Sequence, residues 1–175
     1  MKYLIAIIAL LTPAIICFGQ ASNWDPDDSK KVQDAIEAFL EKDPDLERFF
    51  QEAYGYAVFP SIGKGAFGIG GATGKGEVFE GTKRIGTARM TQVSIGFQWG
   101  GQAYSEIIFF EDAGALRSFK YGDIKFSAQA SVVAVDQGAS ADVAYEEGVA
   151  IFTLAKGGLM YEASVGGQKF KYFSD

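Results

Sequence analysis

The spacing of apolar residues changes once along this chain, near Tyr54. Before that point the apolar residues recur at helical spacing, with charged residues on the opposite face: Val32, Ile36, Phe39 and Leu40. This pattern predicts an amphipathic helix. Its start is marked by Asp25-Pro26, an N-cap residue followed by proline. Asp43-Pro44 repeats the signal before a second apolar stripe, which predicts a second, shorter helix.

From Tyr54 onward apolar and polar residues alternate with a period of two, which predicts β-strands. We expect strands over 54–58, 65–72, 75–80, 92–99, 102–110, 124–134, 149–155, 159–165 and 168–173. Pro60 is expected to end the first strand, and Thr73-Gly74 to form a hairpin turn. Asp112 and Gly122 are suitable caps for a helix over 113–121, and residues 136–147 form a polar loop.

Glycine is concentrated in this second part of the chain. Residues 54–173 hold 21 of the 22 glycines. Glycine weakens a strand, so its frequent use indicates bends, bulges or close backbone approach. Short turns between strands favour antiparallel pairing. The predicted fold class is therefore α+β: a curved, mainly antiparallel sheet, sandwich-like or partly closed into a barrel, with the N-terminal helices packed on it.

The first residues resemble a targeting segment. Lys2 precedes an apolar run that is too short for a membrane span, and Gly19-Gln20-Ala21 offers small residues for cleavage. We predict a secretory signal peptide over 1–21, a linker over 22–29 and one domain over 30–175. The protein is then periplasmic or secreted. Lipid attachment at Cys17 is disfavoured by the bulky Ile16 before it.

Composition argues against much of enzymology. The chain has no histidine, and its single cysteine lies in the predicted leader. The commonest general base, the commonest zinc ligand and thiolate chemistry are thus absent from the mature chain. We predict a protein that is not an enzyme, with no catalytic residues, cofactor or metal. The net charge of −6 also argues against nucleic-acid binding.

Glycine-flanked lysines are the candidate ligand-binding residues. The segment around Gly74-Lys75-Gly76 lacks the spacing and the hydroxyl residue of a phosphate-binding loop. Lysine beside glycine still suits an anion, and an apolar rim suits an amphiphile with a polar head. The predicted site comprises Lys156, Gly157, Gly158, Lys64, Lys75 and Trp99. The alternative is that the lysine–glycine segments are ordinary hairpin turns and that Trp99 fills the core.

Three segments, in this order along the chain, resemble the SYLF lipid-binding family. The first two are Ala53-Tyr54-Gly55-Tyr56-Ala57-Val58-Phe59-Pro60 and Gly96-Phe97-Gln98-Trp99-Gly100-Gly101-Gln102. The third lies between residues 148 and 167, and the match covers roughly residues 30–173. The resemblance implies a non-enzymatic domain that binds lipid or another amphiphile, with the membrane surface as a further partner. Some eukaryotic members bind phosphoinositides or actin through a basic or amphipathic N-terminal segment.

In this chain the corresponding segment is acidic and follows a predicted export signal. Residues 23–53 contain ten acidic and four basic side chains. The resemblance therefore implies an exported bacterial member that binds in the cell envelope and does not bind actin. Two alternatives stay open: a small outer-membrane β-barrel, which glycine- and aromatic-rich strands after a leader would suit, and a hydrolase that uses only carboxylates.

Overall fold

The fold is an open, curved sheet with helices on both faces. The computed structural model describes residues 25–64, 71–93, 103–122, 132–156 and 167–175. The predicted signal peptide and the strand predicted over 159–165 lie outside these residues, as does most of those over 65–72, 92–99 and 124–134. The architecture of the described part confirms the predicted α+β class with N-terminal helices on the sheet.

The helices begin and end where the capping signals predicted. Helix α1 (Pro26–Lys42) begins after Asp25, whose side chain accepts a hydrogen bond from the Asp27 amide, so residues 26–29 of the predicted linker are its first turn. A 3-10 turn (Pro44–Leu46) and helix α2 (Glu47–Glu52) follow Asp43. Helix α3 (Ala113–Tyr121) is capped by Asp112 and ends at Gly122, which adopts a left-handed conformation.

Seven strands form one sheet in the order β5-β6-β4-β1-β2-β3-β7. Their bounds are β1 (Gly55–Lys64), β2 (Gly71–Glu80), β3 (Lys83–Val93), β4 (Tyr104–Phe110), β5 (Val132–Ala134), β6 (Val149–Ala155) and β7 (Gln168–Ser174). All pairs are antiparallel except β5 with β6. The predicted antiparallel sheet is thus confirmed with one parallel exception, and residues 136–145 form turns and irregular structure, as expected for the predicted loop.

The prediction that Pro60 ends the first strand is wrong. Strand β1 continues to Lys64, and its register shifts between Val58 and Ser61 against β2. Proline cannot donate a ladder hydrogen bond, but a bulge removes the need for one. The bulge therefore lets the strand run through Pro60.

The predicted hairpin turn at Thr73-Gly74 is also wrong. Both residues lie inside β2, paired with Gly63 and Ile62 of β1. The turn that the alternation did not reveal is at Gly81-Thr82, and it leads into β3, a strand that was not predicted. A Cβ atom at residue 74 would lie 2.7 Å from Ile62 Cγ1. Glycine is there because the neighbouring side chain fills its space, and no turn is required.

Each face of the sheet has its own apolar core. On one face α1 and α2 cover the strands, with Val32, Phe39 and Phe49 packed against Phe109 and Phe152 among others. The other face carries α3 and is lined by a second cluster: Phe59, Ile62, Met90, Tyr104, Ile108, Phe110, Leu116, Phe119 and Phe170. Strand alternation directs successive side chains to these two faces in turn.

The α3 face is concave because the sheet curls strongly. Strands β4 and β7 are four positions apart in the sheet, which is about 19 Å for a flat arrangement. Nevertheless, the Gln168 side chain of β7 bonds Glu106 of β4 at 2.9 Å. The ring centroids of Phe59 and Phe170 lie 5.7 Å apart, and Phe119 of α3 packs 5.0 Å from Phe170. Side chains from distant strands thus meet inside the curl.

Asp43 joins the N-terminal helices to the loop before β6. Its carboxylate, buried at the start of the 3-10 turn, accepts hydrogen bonds from the backbone amides of Ser140 at 2.8 Å and Asp45 at 3.2 Å. Burial alone would raise the pKa of Asp43, but the hydrogen bonds outweigh it and hold the pKa below its usual value.

We predict that Asp43→Ala lowers the free energy of unfolding by about 2 kcal/mol, because it removes a cap and leaves the Ser140 amide without its carboxylate acceptor. Urea denaturation measures the change. Asp45→Ala, an exposed carboxylate two residues away, is the control and should change stability by less than about 0.5 kcal/mol. Equal losses in the two variants would contradict the role given to Asp43.

Candidate functional site

A groove lies between α1 and the β4–β6 side of the sheet, with a volume of about 280 Å³. Its helical wall includes Ala35 and Ala38, whose short side chains leave the space open. The remaining lining residues lie on α1, on β1, on β4 and at the end of β6: Lys31, Asp34, Pro60, Ser105, Leu154, Ala155 and Lys156. Most of the surface is therefore apolar, with charged groups confined to three side chains.

Lys156 lies at the rim of this groove. It follows the last residue of β6, and its backbone amide donates to the Ala103 carbonyl at 2.9 Å, which fixes the chain where the strand ends. Its side chain is exposed, and no ion pair joins it to another residue in the described part of the chain. The other two charged lining residues are neutralised: Lys31 pairs with Asp28 at 2.8 Å and Asp34 with Lys30 at 2.7 Å.

The ion pair between Lys31 and Asp28 lowers a pKa and also cancels the charge of Lys31 beside the groove. The Lys31 ammonium bonds the Asp28 carboxylate and holds the pKa of Asp28 below its usual value. Both groups stay charged near neutral pH and cancel each other at short range. The positive potential at the groove is then set chiefly by Lys156, which can pair with an anionic head group.

The bulge at Pro60 shapes the floor of the groove. Ser105 of β4 is buried, and its hydroxyl donates to the Pro60 carbonyl at 2.9 Å. The floor therefore presents satisfied polar atoms under an apolar surface, which is an arrangement that suits an apolar ligand group better than a polar one.

The other predicted site residues do not all meet at this groove. Lys75 is exposed on β2. Strand β2 is three positions from β6 in the sheet, which is about 14 Å for a flat arrangement. Lys64 is the last residue of β1, in register with Ala72, and its side chain lies outside the described residues. Gly157, Gly158 and Trp99 also lie outside them. Their assignment to the site stays a prediction.

Lys75 instead belongs to a group of cations that we call the basic row: Lys75, Arg89, Lys169 and Lys171. Lys75, Arg89 and Lys171 are register partners on β2, β3 and β7, and Lys169 is two residues before Lys171. All four are exposed on the face that carries α1, and none forms an ion pair within the described ranges. The Lys171 ammonium lies 5.3 Å from the ring of Phe173, which is 37% exposed.

Sequence reasoning found only one member of the basic row. The alternation in 168–172 places Lys169 and Lys171 on one face, and this signal was available. Arg89 was missed because β3 was not predicted, and the adjacency of the three strands depends on the order in the sheet.

A third feature lies inside the curl, and we call it the interior polar cluster: Glu106, Thr153, Gln168, Tyr104 and Gln92. Glu106 and Thr153 are register partners on β4 and β6 and are completely buried. The Gln168 amide nitrogen donates to Glu106 Oε2 at 2.9 Å and lies 3.5 Å from the Tyr104 hydroxyl. That hydroxyl in turn lies 3.2 Å from Gln92 Oε1, to which it donates.

Three oxygen atoms of this cluster have no hydrogen-bond partner within the described residues: Glu106 Oε1, Thr153 Oγ1 and Gln168 Oε1. Burial raises the pKa of Glu106 to about 7, and the hydrogen bond from Gln168 opposes this rise only in part. Burial and the nearby Glu106 also raise the pKa of Tyr104. This cluster could not be predicted from the sequence, because a glutamate in an alternating strand is expected to face solvent.

Within the described residues, none of the helices has the length and apolar character needed to cross a membrane. The same residues contain no group of three or more acidic, histidine or cysteine side chains arranged to hold a metal ion.

Comparison with known proteins gives one distant likeness. No family model matches the chain. The chain is similar to Beta cell expansion factor A of Aeromonas veronii, with 27% identity over 139 residues. The alignment covers 78% of this chain and 52% of that protein, so the chain spans about half the length of the relative it matches.

Glu106 makes stability depend on pH. Its pKa is higher in the folded chain than in the unfolded chain, so the folded state retains a proton that the unfolded state releases between about pH 4.5 and 7. We predict that the free energy of unfolding falls across this interval by on the order of 3 kcal/mol and then levels off.

The variant Glu106→Gln should lose this pH dependence and should be more stable than the wild type above pH 7. Urea denaturation at a series of pH values measures both effects. Glu41→Gln removes an exposed carboxylate from α1 and should preserve the wild-type profile. A wild-type profile in the Glu106 variant would contradict the assignment.

Proposed function

We propose that this chain is a non-enzymatic module that binds a lipid or another amphiphile in the bacterial cell envelope, in the manner of the SYLF family that its motifs resemble. The observation that carries the proposal is the groove beside α1, where apolar walls end at the unpaired ammonium of Lys156. An apolar cleft with one cationic group at its rim suits a ligand with an apolar chain and an anionic head.

The size of the groove narrows the ligand. At about 280 Å³ it is close to the lower limit for small-molecule pockets. A single acyl chain, or one chain of a larger lipid, fits this volume better than a complete two-chain lipid. We therefore propose an anionic single-chain amphiphile as the simplest ligand, held by Lys156 at its head and by Ala38 and Leu154 along its chain.

The basic row supports a second contact with the envelope. Its four cations are exposed on a chain whose net charge is −6, so positive charge is locally concentrated against the overall balance. Each lysine or arginine near an anionic membrane contributes about 1 kcal/mol of attraction. Exposed Phe173 beside Lys171 adds an apolar group that suits the head-group layer. Lys169 and Lys171 on the edge strand β7 would also hinder edge-to-edge aggregation.

We propose that this binding takes place in the periplasm or outside the cell, as the predicted leader implies. Since the distant relative contains about twice the aligned length, the proposal concerns the binding module and not the activity of a longer protein.

We predict that Lys156→Glu weakens the binding of a dansyl-labelled fatty acid and of vesicles of mixed phosphatidylcholine and phosphatidylglycerol by about 30-fold, because reversing one charge beside an anionic head costs about 2 kcal/mol. Fluorescence titration and vesicle co-sedimentation measure the two affinities. Lys83→Glu makes the same charge change at the opposite end of the sheet and should leave fatty-acid binding unaltered. Unchanged binding in the Lys156 variant would remove this residue from the site.

We predict that Ala38→Trp abolishes fatty-acid binding while the fold is retained, because the indole would fill the groove from its helical wall. The same titration measures the loss, and circular dichroism reports the fold. Ala141→Trp, an exposed alanine in the loop before β6, is the matched control. If the fatty acid binds Ala38→Trp as tightly as the wild type, the groove is not its site.

A further inference from the structure

The interior polar cluster contains three buried oxygen atoms that make no hydrogen bond within the described residues. Glu106 Oε1, Thr153 Oγ1 and Gln168 Oε1 are buried without partners, and an unpaired buried polar atom costs about 1–3 kcal/mol. Three such atoms in one cluster indicate that a ligand donates the missing hydrogen bonds.

The residues that carry the three oxygens are joined although their strands are far apart in sequence. Thr153 faces Glu106 across the β4–β6 ladder on the same side of the sheet. Gln168 reaches Glu106 from β7, and its amide nitrogen donates to Glu106 Oε2 at 2.9 Å. The curl of the sheet is what gathers them.

The surroundings specify the charge of the missing group. Within the described part of the chain, Glu106 forms no ion pair with a lysine or arginine, and its carboxylate accepts a hydrogen bond from Gln168. Its register partner on β1 is Phe59, whose ring packs 5.7 Å from that of Phe170. A carboxylate beside aromatic rings is the environment in which organic ammonium groups are bound.

We propose that the interior polar cluster binds an ammonium group, with Glu106 as its counter-ion and Thr153 and Gln168 as further acceptors. A primary ammonium has three hydrogens for three unpaired oxygens, and it neutralises the carboxylate. A water molecule donates only two hydrogens and leaves the charge uncompensated. The ammonium could come from a free small amine or from the head of an amine-bearing amphiphile.

The cluster lies at one end of the curl. Tyr104 and Gln168 are the first residues of β4 and β7, and Thr153 lies two residues before the end of β6. Helix α3 packs at the other end, where Phe119 contacts Phe110 at the far end of β4. The site is on the opposite face of the sheet from the groove, so it does not depend on the proposed function.

Calorimetric titration of the full chain at about pH 8, where Glu106 is ionised and amines are still protonated, tests the site. The probes are methylammonium chloride and dodecylamine below its micelle concentration. We expect binding of dodecylamine, and Glu106→Gln should weaken it at least about tenfold, as for loss of a buried charge partner. Thr153→Val should weaken it less, and exposed Glu37→Gln should not change it.

The two probes separate the sources of the ammonium. Binding of both, with the same dependence on Glu106, assigns the site to ammonium in general. Binding of dodecylamine alone assigns it to an amphiphile head. Acidification to about pH 5 should weaken binding in the wild type, because Glu106 gains a proton. Tyr104 and Tyr172 also lie on this face, and because burial raises the pKa of both, they remain neutral throughout. The Lys120 ammonium of α3 lies on the same face, 5.1 Å from the centroid of the Tyr172 ring.

Several results would overturn the proposal. One such result is the absence of binding by either amine, and another is an equal affinity for dodecanol. Unchanged affinity in Glu106→Gln, or a calorimetric signal with potassium chloride that equals the signal with the amines, would also overturn it. Loss of fatty-acid binding in the groove variants has no bearing on these outcomes, since Lys156 and Ala38 lie on the other face.

Discussion

The curl of the seven-stranded sheet is the constraint on which the other features depend. Packing of Phe170 against Phe59 and Phe119 closes β7 toward β4 around one apolar core. This closure needs backbone and side chains to approach closely within the sheet. A Cβ atom at residue 76 would lie 2.8 Å from the Phe59 ring, so glycine is required where β2 passes beside this core. The high glycine content of the chain is, in this part, a condition for its shape.

The same curl separates two faces with different chemistry. The convex face carries α1, the groove with Lys156 and the basic row, and these suit anionic and apolar groups. The concave face encloses Glu106, which forms no ion pair with a cation of the described residues. A single-layer sheet thus presents positive charge on its convex face and a buried carboxyl group on its concave face. The strict alternation of side chains along β4, β6 and β7 produces this difference.

Local signals in the sequence predicted the parts of the fold that depend on neighbouring residues. The caps at Asp25, Asp43 and Asp112 were sufficient to place the helices, and alternation was sufficient for β4, β6 and β7. Pro60 and Thr73-Gly74 misled because a bulge and a close contact with Ile62 are properties of the paired strand and not of the segment itself. Strand order and curl depend on contacts between distant residues, so Arg89 and Glu106 gave no sign of their roles. For the candidate site, Lys156 was predicted from its place beside Gly157 and Gly158, whereas the groove beside it depends on the packing of α1 against β4 and β6.

Native mass spectrometry of the processed protein, purified from cell envelopes without detergent, tests most directly whether this domain binds an amphiphile. The account predicts a folded species that carries one small molecule with an apolar chain, released when the groove is filled by Ala38→Trp. The bare polypeptide mass as the sole folded species, from cells that contain the candidate lipids, would contradict it.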